Sequence, residues 1–124
     1  MRKLRVYVAG SYSASNVITV LDNMRKGLRL STEVFLAGYA PFSPWLDYQF
    51  ALMLREGEVL KVEDYYSYSM SWLEASDCIL LVPGWEESKG TLKEIERAKE
   101  LRLPVFNSLK EVKEWMDKKP DYKE

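Results

Sequence analysis

The run Asp77-Cys-Ile-Leu-Leu-Val82, closed by Pro83-Gly84, narrows the fold more than any other feature of this chain. It is apolar at nearly every position, so as a strand it buries both faces. A sheet with two buried faces needs helices above and below it, supplied by parallel crossovers. Residues 3–9 form a second such run, β-branched and aromatic, that stops at Gly10. It predicts another central strand.

The segments between these runs supply the helices. After the polar loop Gly10-Ser-Tyr-Ser-Ala-Ser15, with Ser15 or Asn16 as cap, Val17, Leu21, Met24, Leu28 and Phe35 recur at helical spacing. They predict one helix to about Ala37, stopped by Gly38, with Gly27 as an unfavourable interior residue. Residues 39–44 allow a short extended piece and a proline turn. Residues 45–54 and 62–75 read as two further helices around a surface loop at 55–58, the second helix rich in aromatics. Residues 88–101 read as a helix, 104–106 as a short strand, and 108–117 as a last helix opening on a Ser108/Glu111 capping box. This alternation predicts one α/β domain: a three-layer sandwich with a short parallel, doubly wound sheet of the Rossmann or flavodoxin kind. The domain spans residues 1–118, and 119–124 form a charged tail.

Composition removes whole classes of chemistry. The chain has 124 residues, enough for one domain, and no histidine, so His-based metal sites, Ser-His-Asp triads and Cys-His dyads are excluded. Acid–base work falls to carboxylates, tyrosines, lysines and backbone amides. The single cysteine, Cys78, cannot form an internal disulfide and reads as a small buried hydrophobe of a reducing compartment. Lys and Arg number 18 against 19 Asp and Glu, a balance with no large basic field for a nucleic-acid polymer. No apolar run reaches the ~20 residues of a membrane span. The expectation is a cytoplasmic protein that meets neither membrane nor polynucleotide.

Ligands of doubly wound sheets bind beyond the carboxyl ends of the strands. Those ends carry Gly10-Ser-Tyr, Phe42-Ser-Pro-Trp and Pro83-Gly-Trp-Glu-Glu-Ser. In the following helix Thr91, Ile95, Ala98 and Leu101 share the sheet-facing side, and Glu96 and Glu100 face solvent. Glu94 lies within about 45° of the apolar axis, near the positive end of the helix dipole. A carboxylate held there is partly desolvated yet favoured in its ionised form, which suits a nucleophile. The other reading is a flanking glutamate whose head reaches water. Ser88 and Gly90 offer a hydroxyl and unpaired N–H groups for an anion, or an ordinary N-cap. Tyr12, Phe42, Trp45 and Trp85 at strand ends suit stacking on a flat ligand, or packing. Asp47 near Trp45 is a polar contact or a surface acid. Tyr65, Tyr66, Tyr68 and Trp72 read as packing, and Asp77 as a local cap or ion pair.

Taken together, Val8-Ala-Gly-Ser-Tyr-Ser13, Pro41-Phe-Ser-Pro44, Asp77 through Gly90, Glu94, Ala98 and Pro104-Val105 resemble the nucleoside 2-deoxyribosyltransferase superfamily. The likeness is to its small branch with a Pro-Gly-Trp-Glu-x-Ser-x-Gly motif. The resemblance implies cleavage or exchange of an N-glycosidic bond in a nucleoside or nucleoside 5′-monophosphate, without a cofactor. It implies Glu94 as nucleophile, Ser88 as a 5′-phosphate ligand, and Gly10 and Ser11 as the loop around sugar and phosphate. The substrate-binding set expected is Gly10, Ser11, Tyr12, Phe42, Trp45, Asp47, Gly84, Trp85, Ser88 and Gly90. Relatives commonly place an aspartate where this chain has Ser69; Asp47, Asp64 or a tyrosine hydroxyl such as Tyr12 are the candidate substitutes, or the protein binds nucleotides without turning them over. Trp45 stands where relatives carry a smaller or polar residue. Pro83-Gly84 with Gly90-Thr-Leu-Lys-Glu94 also loosely resembles the motif of cytokinin-activating phosphoribohydrolases, although an insertion separates the glycines. A core this small, with strand-end aromatics to cover, predicts a homo-oligomer, dimer or tetramer.

Overall fold

The structure, a computed structural model, describes residues 2–119. The charged tail from residue 120 onward lies outside the described residues. Four strands form one sheet: β1 (Arg5–Ala9), β2 (Ala40–Phe42), β3 (Cys78–Leu81) and β4 (Val105–Phe106). Their order across the sheet is β2-β1-β3-β4 and every pairing is parallel, with Val6 opposite Pro41 on one side and Cys78 on the other. Five helices connect them: α1 (Val17–Leu36), α2 (Tyr48–Leu52), α3 (Val62–Glu74), α4 (Lys89–Leu101) and α5 (Leu109–Asp117).

The period of two in the strands sorts the core into two layers. Val6, Val8, Cys78 and Leu80 point to one face, where Val34 of α1 and Val112 and Met116 of α5 cover them. Tyr7, Ala9, Ile79 and Leu81 point to the other, under Leu73 of α3 and Ala98 of α4. β3 is buried along its whole length. The expected α/β sandwich is therefore the fold, in the flavodoxin-like order, whose switch point lies between β1 and β3.

Local chemistry sets the helix ends. The Asn16 side chain accepts the Thr19 N–H at 2.8 Å to start α1, and Gly38 ends it at φ +95. Gly27 sits mid-helix because the Trp45 ring lies against it; a Cβ there would come within 2.5 Å of three ring atoms. At α5, Ser108 caps the Glu111 N–H at 3.2 Å, and Glu111 reaches back to the Asn107 N–H rather than to Ser108. The expected capping box is displaced by one residue.

One element differs more. The helix expected over residues 45–54 is a 3-10 turn, Pro44–Asp47, followed by the single short helix α2. Trp45 turns inward and is 1% exposed, whereas Leu46, Phe50, Met53 and Leu54 stay exposed. With no face buried on the core, nothing sustains a longer helix there.

Candidate active site

The carboxyl ends of β1 and β3 open into a cavity of about 610 Å³, a size suited to a small organic ligand. Its walls come from the loop after β1, the 3-10 turn, α3 and the start of α4. Glu94 of α4 lines it. The Tyr7 hydroxyl, rising from the middle of β1, donates a hydrogen bond to Glu94 Oε2. Among the described residues no cation pairs with Glu94. Burial pushes its carboxyl up to about 7, against the Tyr7 hydrogen bond, which pulls it down.

This outcome corrects the expectation that the helix dipole keeps Glu94 ionised. The dipole effect fades beyond the first turn, and Glu94 stands past it in α4, so desolvation wins. The Tyr7 phenol is itself raised, first by burial and then by the Glu94 charge. It therefore stays protonated and remains a donor.

A second carboxyl–phenol pair lies in the same cavity. Asp47, 5% exposed, accepts the Tyr12 hydroxyl at 2.8 Å. Burial lifts the Asp47 carboxyl above the ordinary range, opposed by that bond.

The Gly10–Ser13 loop is braced from outside. Trp45 Nε1 donates to the Ser11 carbonyl at 3.0 Å, Asn23 Nδ2 to the Tyr12 carbonyl at 3.1 Å, and Ser11 Oγ to the Gly84 carbonyl at 3.3 Å. Gly10 allows the loop to leave the sheet, since a Cβ would meet Val82 at 2.7 Å. The carbonyls are held by protein; the N–H groups of Ser11, Tyr12 and Ser13 have no acceptor among the described residues.

At the α4 start, Ser88 serves as the N-cap: its Oγ accepts the Thr91 N–H at 3.1 Å and contacts the Thr91 hydroxyl at 2.9 Å. The N–H groups of Lys89 and Gly90 precede any intrahelical acceptor, and both residues line the cavity beside Ser88.

Eight of the expected site residues thus meet in one cavity: Gly10, Ser11, Tyr12, Trp45, Asp47, Ser88, Gly90 and Glu94. Phe42, Gly84 and Trp85 do not line it. Phe42 stacks on Tyr7 at 5.3 Å and on Trp72 at 5.8 Å, so it backs the Tyr7 ring instead of meeting a ligand. Trp85 packs on the Tyr7 and Ala9 side of the core. Gly84 makes the turn after β3 at φ +92. Trp45 lines the cavity from within the core rather than as an exposed platform.

Tyr65 and Tyr66, assigned to packing from sequence, also line the cavity. Tyr66 lies over Gly90, where a Cβ would approach its ring at 3.3 Å, and Lys93 Nζ stands 5.4 Å from the ring centre. Tyr68 and Trp72 do pack, around Phe42. Ser69 is buried and lines the cavity too. Tyr7, which the sequence reading did not single out, joins the candidate site through Glu94; its signal was a hydroxyl at a buried position of a central strand. Asp64 is elsewhere, accepting the Lys61 N–H at 2.8 Å as a cap of α3.

The matched family is described as a domain of unknown function, DUF4406, and the match covers residues 4–107. The chain belongs to this family. No curated protein matches it. The matched span takes in every lining residue of the cavity in this DUF4406 domain, from Gly10 to Glu94, and Tyr7 with them. Among the described residues no group of three or more Cys, Asp and Glu side chains is arranged to hold a metal ion, and no helix is long and apolar enough to cross a membrane.

Proposed function

We propose that this DUF4406 protein is an N-glycosidase or deoxyribosyltransferase acting on a nucleoside or its 5′-monophosphate, with Glu94 as nucleophile. One observation carries the reading: a glutamate with no cationic partner among the described residues lines the cavity at the switch point and is held by the Tyr7 phenol. The resemblance to the nucleoside 2-deoxyribosyltransferase superfamily, through the Ser88-to-Glu94 spacing, supports it.

The chemistry follows from the arrangement. As the N-glycosidic bond breaks, positive charge grows on the anomeric carbon. The Glu94 carboxylate stabilises that charge and then bonds to the carbon. Tyr7 orients the carboxylate and favours its ionised form. The free amides of the Gly10–Ser13 loop and the α4 start, with Lys89 beside them, suit a 5′-phosphate. In this reading the chain forms a dimer or tetramer, and the exposed Leu52, Met53 and Val59 offer apolar surface to a second copy.

The test is incubation with a panel of nucleosides and 5′-monophosphates, following free base by chromatography. Wild-type protein is expected to release base from at least one member, and Glu94→Ala from none. Equal background release by both proteins across the panel refutes the assignment.

A second reading draws on Ser69, which lines the cavity where relatives commonly carry an aspartate. It is a nucleotide-binding module without turnover. Melting shifts with ligand, and no free base, would select it.

A further inference from the structure

We propose that Asp47 is the second carboxyl of the reaction, the acid that protonates the departing base, supplied from the turn after β2 instead of from α3. The inference rests on the glycosidase reading above. Its geometric basis is the strand order β2-β1-β3. Asp47 follows β2, Glu94 follows β3, and both line one cavity across the carboxyl end of β1. A ligand lying over that end would meet one carboxyl from each side, the sidedness that two-carboxylate glycosidases use.

Asp47 is built in, not incidental. Pro44 opens its turn, and Trp45, 1% exposed, anchors the turn between Gly27 and the Ser11 carbonyl. The Tyr12 hydroxyl occupies Oδ1. Oδ2 has no hydrogen-bond partner among the described residues, yet it is not among their sealed, unsatisfied atoms. It is left for a ligand. The alternatives are occupied: Asp64 caps α3, and the Tyr12 hydroxyl already donates to Asp47. Burial keeps the Asp47 carboxyl above the usual range, with the phenols of Tyr12, Tyr48 and Tyr65 nearby and no cation paired with it among the described residues. That environment favours the protonated form more than an exposed aspartate's surroundings would.

The step balances. The bond from C1′ to the base nitrogen breaks, and its electron pair goes to the base, which takes the Asp47 proton. A Glu94 oxygen forms a new bond to C1′. Water then attacks C1′, the bond to Glu94 breaks, and the water proton returns to Asp47.

The experiment uses leaving groups. The best substrate of the panel is compared with an analogue whose base departs without a proton: an N7-methylated purine, or a 5-nitropyrimidine for a pyrimidine substrate. Asp47→Asn is expected to lose on the order of 100-fold on the ordinary substrate and to stay within a few-fold of wild type on the analogue. Glu94→Gln is expected to lose activity on both. Tyr12→Phe, which keeps the carboxyl, is expected to show the same selective loss on a smaller scale, and it carries the test should Asp47→Asn fail to fold. Equal losses on both substrates, with active wild-type protein, overturn the role of Asp47 alone. Wild-type protein inactive on every substrate overturns the glycosidase reading and this inference with it.

Discussion

Asp77 and Glu94 flank the same strand and are treated in opposite ways. Asp77 stands before β3. It accepts both terminal nitrogens of Arg2 at 2.7 Å and the Arg5 N–H at 2.8 Å. Burial pushes its carboxyl up, but those bonds and the two arginine charges win, and it ends below the usual range. Glu94 stands after β3 with a phenol as its partner and ends near 7. One acid is given everything that stabilises its charge. The other is denied it. Burial without an opposing charge costs the fold at neutral pH, and that contrast is what makes Glu94 the functional-site candidate of the two.

The strongest way to break this comparison is to remove each charge and measure turnover. Glu94→Gln is expected to reduce base release on the order of 10³-fold or more, the scale of losing a nucleophile. Asp77→Asn is expected to leave it near wild type. On the analogue whose base departs without a proton, the rate depends on Glu94 ionisation alone and should climb as pH rises through about 7. A flat profile between pH 5 and 8 would count against Glu94 as the attacking group.

Stability sharpens the same contrast, with opposite signs. The folded pKa of Glu94 is raised, so folding keeps a proton that the unfolded chain releases. Its favourable contribution is complete below the unfolded value of 4.5 and is lost as pH rises through about 7. Glu94→Gln should therefore gain stability above pH 7, on the order of 3 kcal/mol at most. The folded pKa of Asp77 is depressed. Its contribution is present above the unfolded value and is lost as pH falls through the lower folded one. Asp77→Asn should cost about 2 kcal/mol at neutral pH and little in strong acid. Urea unfolding across pH 3 to 9 measures both. A Glu94 variant less stable than wild type at pH 8 would mean that this carboxyl serves the fold after all.

The fold was readable because its signals are local and repeated. The unbroken apolar run before Pro83 required two covering layers, and the helical period placed Glu94 beside Thr91 on the inner side of α4. What escaped the sequence depends on long-range pairing. Tyr7 reaches Glu94 only because β1 lies next to β3 in parallel register, a relation that no spacing encodes. Tyr12 and Asp47 meet through the same topology. Phe42 and Trp85 were placed at the ligand mouth by their position at strand ends, yet aromatic rings there serve equally as props, and the choice lies with neighbours such as Trp72. The α2 region misled for a different reason. Its apolar residues have helical spacing but no core face to bury, so periodicity alone overstated the helix.

The smallest effect tests the comparison at the level of a hydroxyl. Ser88 and Ser108 cap their helices alike, accepting the N–H three residues on at 3.1 and 3.2 Å. One borders the cavity and the other does not. Either serine changed to alanine should cost about 1 kcal/mol of stability as a lost cap, a few degrees in a thermal melt. Only Ser88→Ala should also erode the preference for a 5′-monophosphate over the matching nucleoside, because its hydroxyl accepts from the Thr91 N–H and hydroxyl and keeps its own O–H to donate to a phosphate. Melting shifts with each ligand separate the two contributions. If Ser88→Ala lowers stability and leaves that preference intact, the hydroxyl is a cap and nothing more, and any phosphate is held by the amides of the Gly10–Ser13 loop and the α4 start.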